Sequence, residues 1–190
     1  LVIAGGTEMM SNYGQSGNAP AMFIDNDNLR LRAVHPQPHQ GVCGDAIATL
    51  EGISREALDQ LALVSQQRAA RAIAEGAFDR SLVPVHREDG TLALDREEFP
   101  RPGTTYESLS QLKPAFAEVA RYPLDERGTT YLGLIHQKYP GLAVNHVHHA
   151  GNSSGVVDGA AALLLASPAY ARQQGWTPRA RVLAMANVGD

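Results

Sequence analysis

A chain of 190 residues has room for one ordinary domain or parts of two. Its composition, 44% hydrophobic and 19% charged, is that of a globular protein, and a formal charge of -4 argues against a nucleic-acid partner, which would favour a basic chain. No apolar run approaches the roughly 18 residues that a membrane helix needs, so no membrane partner is expected. No charged start followed by an apolar core marks a secretory signal. A single cysteine, Cys43, excludes an internal disulfide and fits a reducing compartment such as the cytoplasm.

In chain order, Leu1-Val2-Ile3-Ala4-Gly5-Gly6 reads as a buried strand ending in a glycine turn. Residues 11–40 are rich in Asn, Gly, Pro and Gln and lack a period, which predicts a loop with room for a short helix. Residues 45–51 predict a helix. Ser54 is an N-cap, with Glu56 placing acid in the first turn. The apolar stripe Leu58, Leu61, Ala62, Val64, Ala69, Ala72 and Ile73 carries that helix to about Glu75, with Gly76 as the stop. Residues 82–85 suggest a strand, Glu88-Asp89-Gly90-Thr91 a turn, and residues 105–112 a helix that Lys113-Pro114 breaks. Within residues 117–143 only a helical piece at 131–138 is legible. Residues 143–148 predict a strand, residues 150–155 a small-residue loop, and residues 160–166 another strand. Ser167-Pro168 then opens a helix that runs to Gln174 and ends at Gly175. Residues 181–188 read as a last strand. Strand, helix and strand in this order point to an α/β sheet.

An apolar strand at residue 1 and a strand stopping at Gly189-Asp190 both leave ladder groups without partners. Both ends are therefore read as truncations inside domains, with edge strands of a small complete domain as the alternative. Exposed sheet edges, prone to aggregation or swapping, are expected.

Four stretches carry most of the chemical information. They are Ala4-Gly5-Gly6-Thr7-Glu8-Met9-Met10-Ser11; the helix from Ser54-Arg55 through Asp59 to Ser65-Gln66; Arg101 to Thr105 followed by Leu112-Lys113-Pro114-Ala115-Phe116; and the block NHVHHAGNSSGVVDGAA at 145–161. In this order and near this spacing they resemble the thiolase signatures AGGxExMS, SRxxxDxxAxxSQ, RxxTxxxxLxxLxPAF and TAGNASGxNDGAA. Each is weak alone, and together they are specific. The chain is similar to the middle of a thiolase throughout, except at about 117–143, where most thiolases have a shorter link. The longer link and the NHVH sequence look more like degradative thiolases of long-chain or sterol side-chain catabolism.

The resemblance implies an α/β, thiolase-like layered α/β/α fold, here incomplete, with an inserted loop domain. It implies a piece of the N-terminal domain at 1–10, the coenzyme A-binding loop domain at 11–155, the last strand and helix of the N-terminal domain at 156–178, and the start of the C-terminal domain at 179–190. Coenzyme A would be a substrate, not a permanently bound cofactor, and the protein would be a homo-oligomer. By motif position, Arg101 would contact the phosphate-bearing end of coenzyme A, where a guanidinium fork suits phosphate oxygens. Ser108 would hydrogen-bond near the adenine, and Phe116 would offer apolar surface. Ala150 and Ser154 would flank the pantetheine, His39 would stand near the thioester, and Leu31 would line the site.

Taken singly, each residue has a plainer reading. Arg101 is also a solvated surface arginine, Phe116 a core residue, His39 a loop histidine, and Gly151 and Ser154 parts of a tight turn. His146, His148 and His149 suggest a metal cluster, yet sequence places no carboxylate or thiolate beside them, and zinc needs three or four ligands. Cys43 invites a cysteine-hydrolase reading, but by the resemblance it occupies a loop position without a catalytic role. The family's acyl transfer uses an activated cysteine, a GHP histidine, a NEAF asparagine and a CxGGG cysteine. None of these motifs occurs in the sequence. The chain is therefore expected to bind without catalysing, either as the coenzyme-binding segment of an acyl-coenzyme A acyltransferase or as a non-catalytic binding or assembly module.

Overall fold

The computed structural model describes residues 1–11 and 28–187. Strand β1 (Val2–Met9) pairs antiparallel with β4 (Asp158–Leu165), from Val2 opposite Leu165 to Met9 opposite Asp158. Gly5 allows the close approach of the two strands, because a Cβ there would lie 2.8 Å from the carbonyl oxygen of Ala161. Ser11 closes the ribbon: its amide and hydroxyl both donate to the Asp158 carboxylate, at 2.9 and 2.6 Å. The strand read at the N-terminus is present, but it is not buried. Ile3 is 73% and Leu163 68% exposed, since a two-stranded ribbon covers neither of its own faces.

Helix α1 (Leu29–Val34) is capped by the Asn28 side chain. Helix α2 (Gln40–Leu50) starts five residues earlier than residues 45–51 predict, because the His39 ring accepts from the Gly41 amide as its N-cap. Cys43 thus lies inside a helix and not in a loop. The long helix α3 (Arg55–Ala74) has its predicted cap, with Ser54 Oγ accepting from the Ala57 amide at 3.2 Å, and ends at Gly76, whose φ of 68° is left-handed. A small hairpin joins β2 (Val85–His86) and β3 (Leu92–Leu94) across the predicted turn, where Gly90 has φ 82°. The strand lies at the end of the expected 82–85 stretch, where a partner is available. Helix α4 (Tyr106–Ser110) carries a capping box between Thr105 and Ser108. Helix α5 (Tyr131–Lys138) spans the predicted residues, and α6 (Pro168–Gln173) follows the Ser167 cap, with Gly175 at φ 68° after it.

Two predicted strands are not formed. Residues 143–148 are extended but unpaired with any strand, because their amides go to side chains: Asn145 donates to Thr49 Oγ1 at 2.9 Å, and Val147 and His148 donate to Asp45 Oδ1 at 3.1 and 3.0 Å. Residues 181–187 have no ladder partner among the described residues, and Val188 lies outside them. The loop read at 11–40 is described only from 28 onward, apart from Ser11.

The core forms where α2 meets α5. Val42 and Ala46, one turn apart on α2, pack with Tyr131, Leu134 and Ile135 of α5 and with Ala120 and Leu124 from the intervening segment. The stretch around 117–143 thus contributes five of the seven buried residues of this core cluster among the described residues. Leu134→Ala should lower stability by about 2–5 kcal/mol, whereas Val83→Ala, at a site 81% exposed, should stay within about 0.5 kcal/mol; urea unfolding of both variants measures the difference.

Candidate functional site

Two buried carboxylates hold residues 146–152, which span the end of the expected strand and the start of the expected loop. Asp45 of α2 is wholly buried. Its Oδ2 meets His146 Nδ1 and its Oδ1 meets His148 Nδ1, both at 2.7 Å, in addition to the amides of Val147 and His148. Burial alone would push this carboxyl up, but the hydrogen bonds from His146, His148 and the two amides hold it below the usual range. The histidines that resemble a metal cluster thus spend a ring nitrogen each on a carboxylate, and no group of three or more potential ligands converges on a metal position among the described residues.

Asp59 of α3, also wholly buried, is the second anchor. It accepts from Arg55 Nε at 2.7 Å, from His149 Nε2 at 2.7 Å and from Asn152 Nδ2 at 3.0 Å. Against the upward push of burial, these donors and the Arg55 charge hold its carboxyl below the ordinary value. Arg55 extends the junction, donating through Nη2 to the carbonyls of Leu109 and Leu112 at 2.8 and 2.9 Å. Within the turn, Asn152 Oδ1 accepts from the His149 amide, and His149 Nδ1 accepts from the Gly151 amide at 3.0 Å. Gly151 sits so tightly on α4 that a Cβ would lie 2.6 Å from Leu109 Cδ2.

The turn held in this way forms one wall of an open groove of ≈ 410 Å³. Leu58, Leu61, Ser65 and Gln66 of α3 face Gly151 to Gly155 across it, with Phe99 and Pro100 alongside. Of the residues singled out from sequence, Ser154 lines this groove, whereas Ala150 is exposed and precedes the lining residue Gly151 without lining the groove itself. Arg101 is exposed, and its amide donates to Gln66 Oε1 at 2.8 Å, which ties the loop carrying the guanidinium to the groove wall. Ser108 is exposed on α4, where its hydroxyl donates to the Thr105 carbonyl and accepts from the Thr105 amide.

A second group gathers at the start of α2. The rings of His39 and Phe116 lie 5.4 Å apart, and Tyr131 stands 5.6 Å from His39 on another side. Gly41 makes room for the phenyl ring, since a Cβ there would overlap it. Burial lowers the His39 pKa. The two groups are connected through the backbone, where the amide of Ala115 donates to the His148 carbonyl at 2.9 Å. Leu31 is half-buried on α1 and belongs to neither. Cys43 is a poor candidate for a thiolate nucleophile: burial raises its pKa, and its sulfur faces the Pro38 carbonyl at 3.7 Å. Sequence reasoning missed the binding of Asp45 to His146 and His148, and the parts played by Asp59, His149 and Gln66. Asp59, Gln66 and Asn152 all stand in the quoted motifs, and Asp45 is an acid on an otherwise apolar face, one helical step from Val42 and Ala46.

The family model for the thiolase N-terminal domain matches residues 1–120. The chain is 35% identical over 205 residues to an acetyl-CoA acetyltransferase of Thiocystis violacea, and 37% over 204 residues to a beta-ketoadipyl-CoA thiolase of Pseudomonas aeruginosa; each match covers 100% of this chain and 44% of the relative. Among solved structures, human mitochondrial 3-ketoacyl-CoA thiolase in complex with CoA aligns with TM-score 0.62 at 28% identity, over 93% of this chain and 40% of that one. The dimeric peroxisomal thiolase of Saccharomyces cerevisiae aligns with TM-score 0.61 at 29% identity, over 91% and 38%. The chain belongs to the thiolase family, with an incomplete thiolase-like α/β fold, and spans less than half the length of the relatives it matches.

The lowered pKa values of Asp45 and Asp59 carry a signed expectation. A carboxyl whose pKa is depressed by folding adds stability above its unfolded value of about 4, and that stability is lost as pH falls through the folded value below it. Asp45→Asn and Asp59→Asn should each cost about 3–5 kcal/mol near neutrality and flatten the acid limb of stability, as urea unfolding from pH 7 to 2 would record.

Proposed function

We propose that this chain supplies the coenzyme A-binding part of a thiolase-type acyltransferase, with coenzyme A or its acyl thioester as substrate. One observation carries the reading: the open groove between α3 and the 151–155 turn, with Arg101 tethered to its wall through Gln66. The groove is open, partly apolar and walled on one side by the small residues Gly151, Ser153, Ser154 and Gly155, which suits the close approach of a pantetheine arm. Arg101 stands at its margin with an exposed charge for phosphate oxygens. Ala150 and Ser154 flank the arm, Ser108 and its hydroxyl serve the adenine end, and His39 serves the thioester end with the apolar surface of Phe116 beside it, whereas Leu31, half-buried on α1, joins neither group.

The division into parts follows the same reading. Residues 1–10 and 156–178 belong to one N-terminal layer, which is supported by the pairing of β1 with β4. Residues 11–155 form the coenzyme-binding loop domain, and 179–190 begin the next domain. The family reaction, acyl transfer between a cysteine thiolate and coenzyme A, needs the cysteine, GHP, NEAF and CxGGG motifs, which are absent from this sequence. The role assigned to these 190 residues is coenzyme A binding. The protein acts in acyl-coenzyme A metabolism of the β-oxidation type, in the cytoplasm. No helix among the described residues is long and apolar enough to cross a membrane. Association into homo-oligomers is supported by the exposed apolar ribbon β1–β4.

Calorimetric titration of coenzyme A into the chain tests the reading. Saturable binding is expected, weakened by Arg101→Ala by about 1.5–3 kcal/mol, or roughly 10- to 150-fold. A folded chain that gives no heat, or an Arg101→Ala variant that binds as the parent does, would overturn it.

A further inference from the structure

The imidazole of His149 is locked between a donor and an acceptor. Its Nε2 lies 2.7 Å from Asp59 Oδ1, and its Nδ1 lies 3.0 Å from the amide nitrogen of Gly151. An ionised carboxylate only accepts, so Nε2 carries the proton. A backbone amide only donates, so Nδ1 is bare. These two contacts together admit one protonation state, the neutral Nε2–H tautomer. The residue is only 1% exposed.

We propose that His149 and Asp59 are positioning residues of the groove, and that the 151–155 wall holds its binding shape only while His149 carries a single proton, on Nε2. The inference rests on the coenzyme A reading for the identity of the ligand, and on the hydrogen-bond geometry alone for the lock. A second proton on Nδ1 sets N–H against N–H at the Gly151 contact. Gly151 cannot retreat toward α4, because Leu109 Cδ2 and Leu112 Cδ1 already occupy the positions that a Cβ would approach to 2.6 and 2.8 Å. The turn must instead shift on its groove side, where Ser153, Ser154 and Gly155 form the wall. The charged groups of this junction are Asp59 and Arg55, both from α3, while the facing side presents the uncharged Leu109 of α4 and Leu112 just beyond it. The neighbouring His148 is turned to Asp45, and Asn152 adds a neutral amide. Arg55 binds the same carboxylate as His149 and also the carbonyls of Leu109 and Leu112, so the junction fixes the turn and the end of α4 together.

The test is coenzyme A calorimetry from pH 8 to pH 5.5 at constant ionic strength, on the parent chain and on His149→Gln in parallel. Glutamine can donate to Asp59 and accept from Gly151, but it does not titrate. The phosphates of coenzyme A titrate equally in both experiments, so the difference between the two profiles belongs to His149. The parent should lose about three- to tenfold more affinity than His149→Gln on acidification, each measured against its own value at pH 8. Parallel profiles would overturn the proposal. If the parent binds no coenzyme A at any pH, the coenzyme reading falls, and nitrogen-15 NMR decides the lock by itself. An Nε2–H tautomer at pH 8 and a Gly151 amide that shifts with His149 protonation would sustain it. An Nδ1–H tautomer, or a Gly151 amide indifferent to that proton, would refute it; both are read in the parent chain even if His149→Gln fails to fold.

Discussion

The segment from 145 to 155 has no regular backbone partner, and its placement depends on two buried carboxylates. Asp45 and Asp59 take the amide, imidazole and carboxamide donors that a strand or helix would otherwise satisfy with carbonyls. A buried charge is costly unless fully hydrogen-bonded, and each of these accepts at least three donors. The result is an irregular loop held in place by side chains and not by a backbone ladder. The α2–α5 core supports the Asp45 anchor, since Val42 and Ala46 beside it are buried in that core.

The same contacts give a physical reason for four separated motifs to occur together. Arg55 and Asp59 of the second motif bond to Leu112 of the third and Asn152 of the fourth, and Gln66 of the second holds the Arg101 amide of the third. Ser11 at the end of the first motif binds Asp158 of the fourth. What reads in sequence as four weak signatures is in space two hydrogen-bonded junctions. A change in one motif leaves a donor or acceptor of another without its partner.

Local chemistry made much of the fold legible. The Ser54 and Ser167 caps, the left-handed glycines at 76, 90 and 175, and the helix at 131–138 depend on neighbours a few residues away. The misread strand at 143–148 shows where such reading ends. Its apolar and β-branched residues suit a strand, but its partners lie about 100 residues earlier on a helix, and no local pattern encodes that distance. The candidate site was legible in part for the same reason. Ser154 lines the groove, the Arg101 amide is tied to Gln66 in its wall and His39 meets Phe116, while Asp45 and Asp59 find their histidine partners about 90 to 100 residues away, beyond any local pattern. The exposed ribbon is a further case: its sequence has the apolar character of a buried strand, and burial depends on what packs against it.

The central claim is that the junction-held groove is a coenzyme A site. Amide chemical-shift mapping of the chain during coenzyme A addition tests this most directly. The account predicts that the shifts concentrate at 151–155, at Ser65 and Gln66, and around Arg101, with the surface of α6 unchanged. Saturable shifts centred on the β1–β4 ribbon or on α6, with the groove amides unmoved, would contradict it.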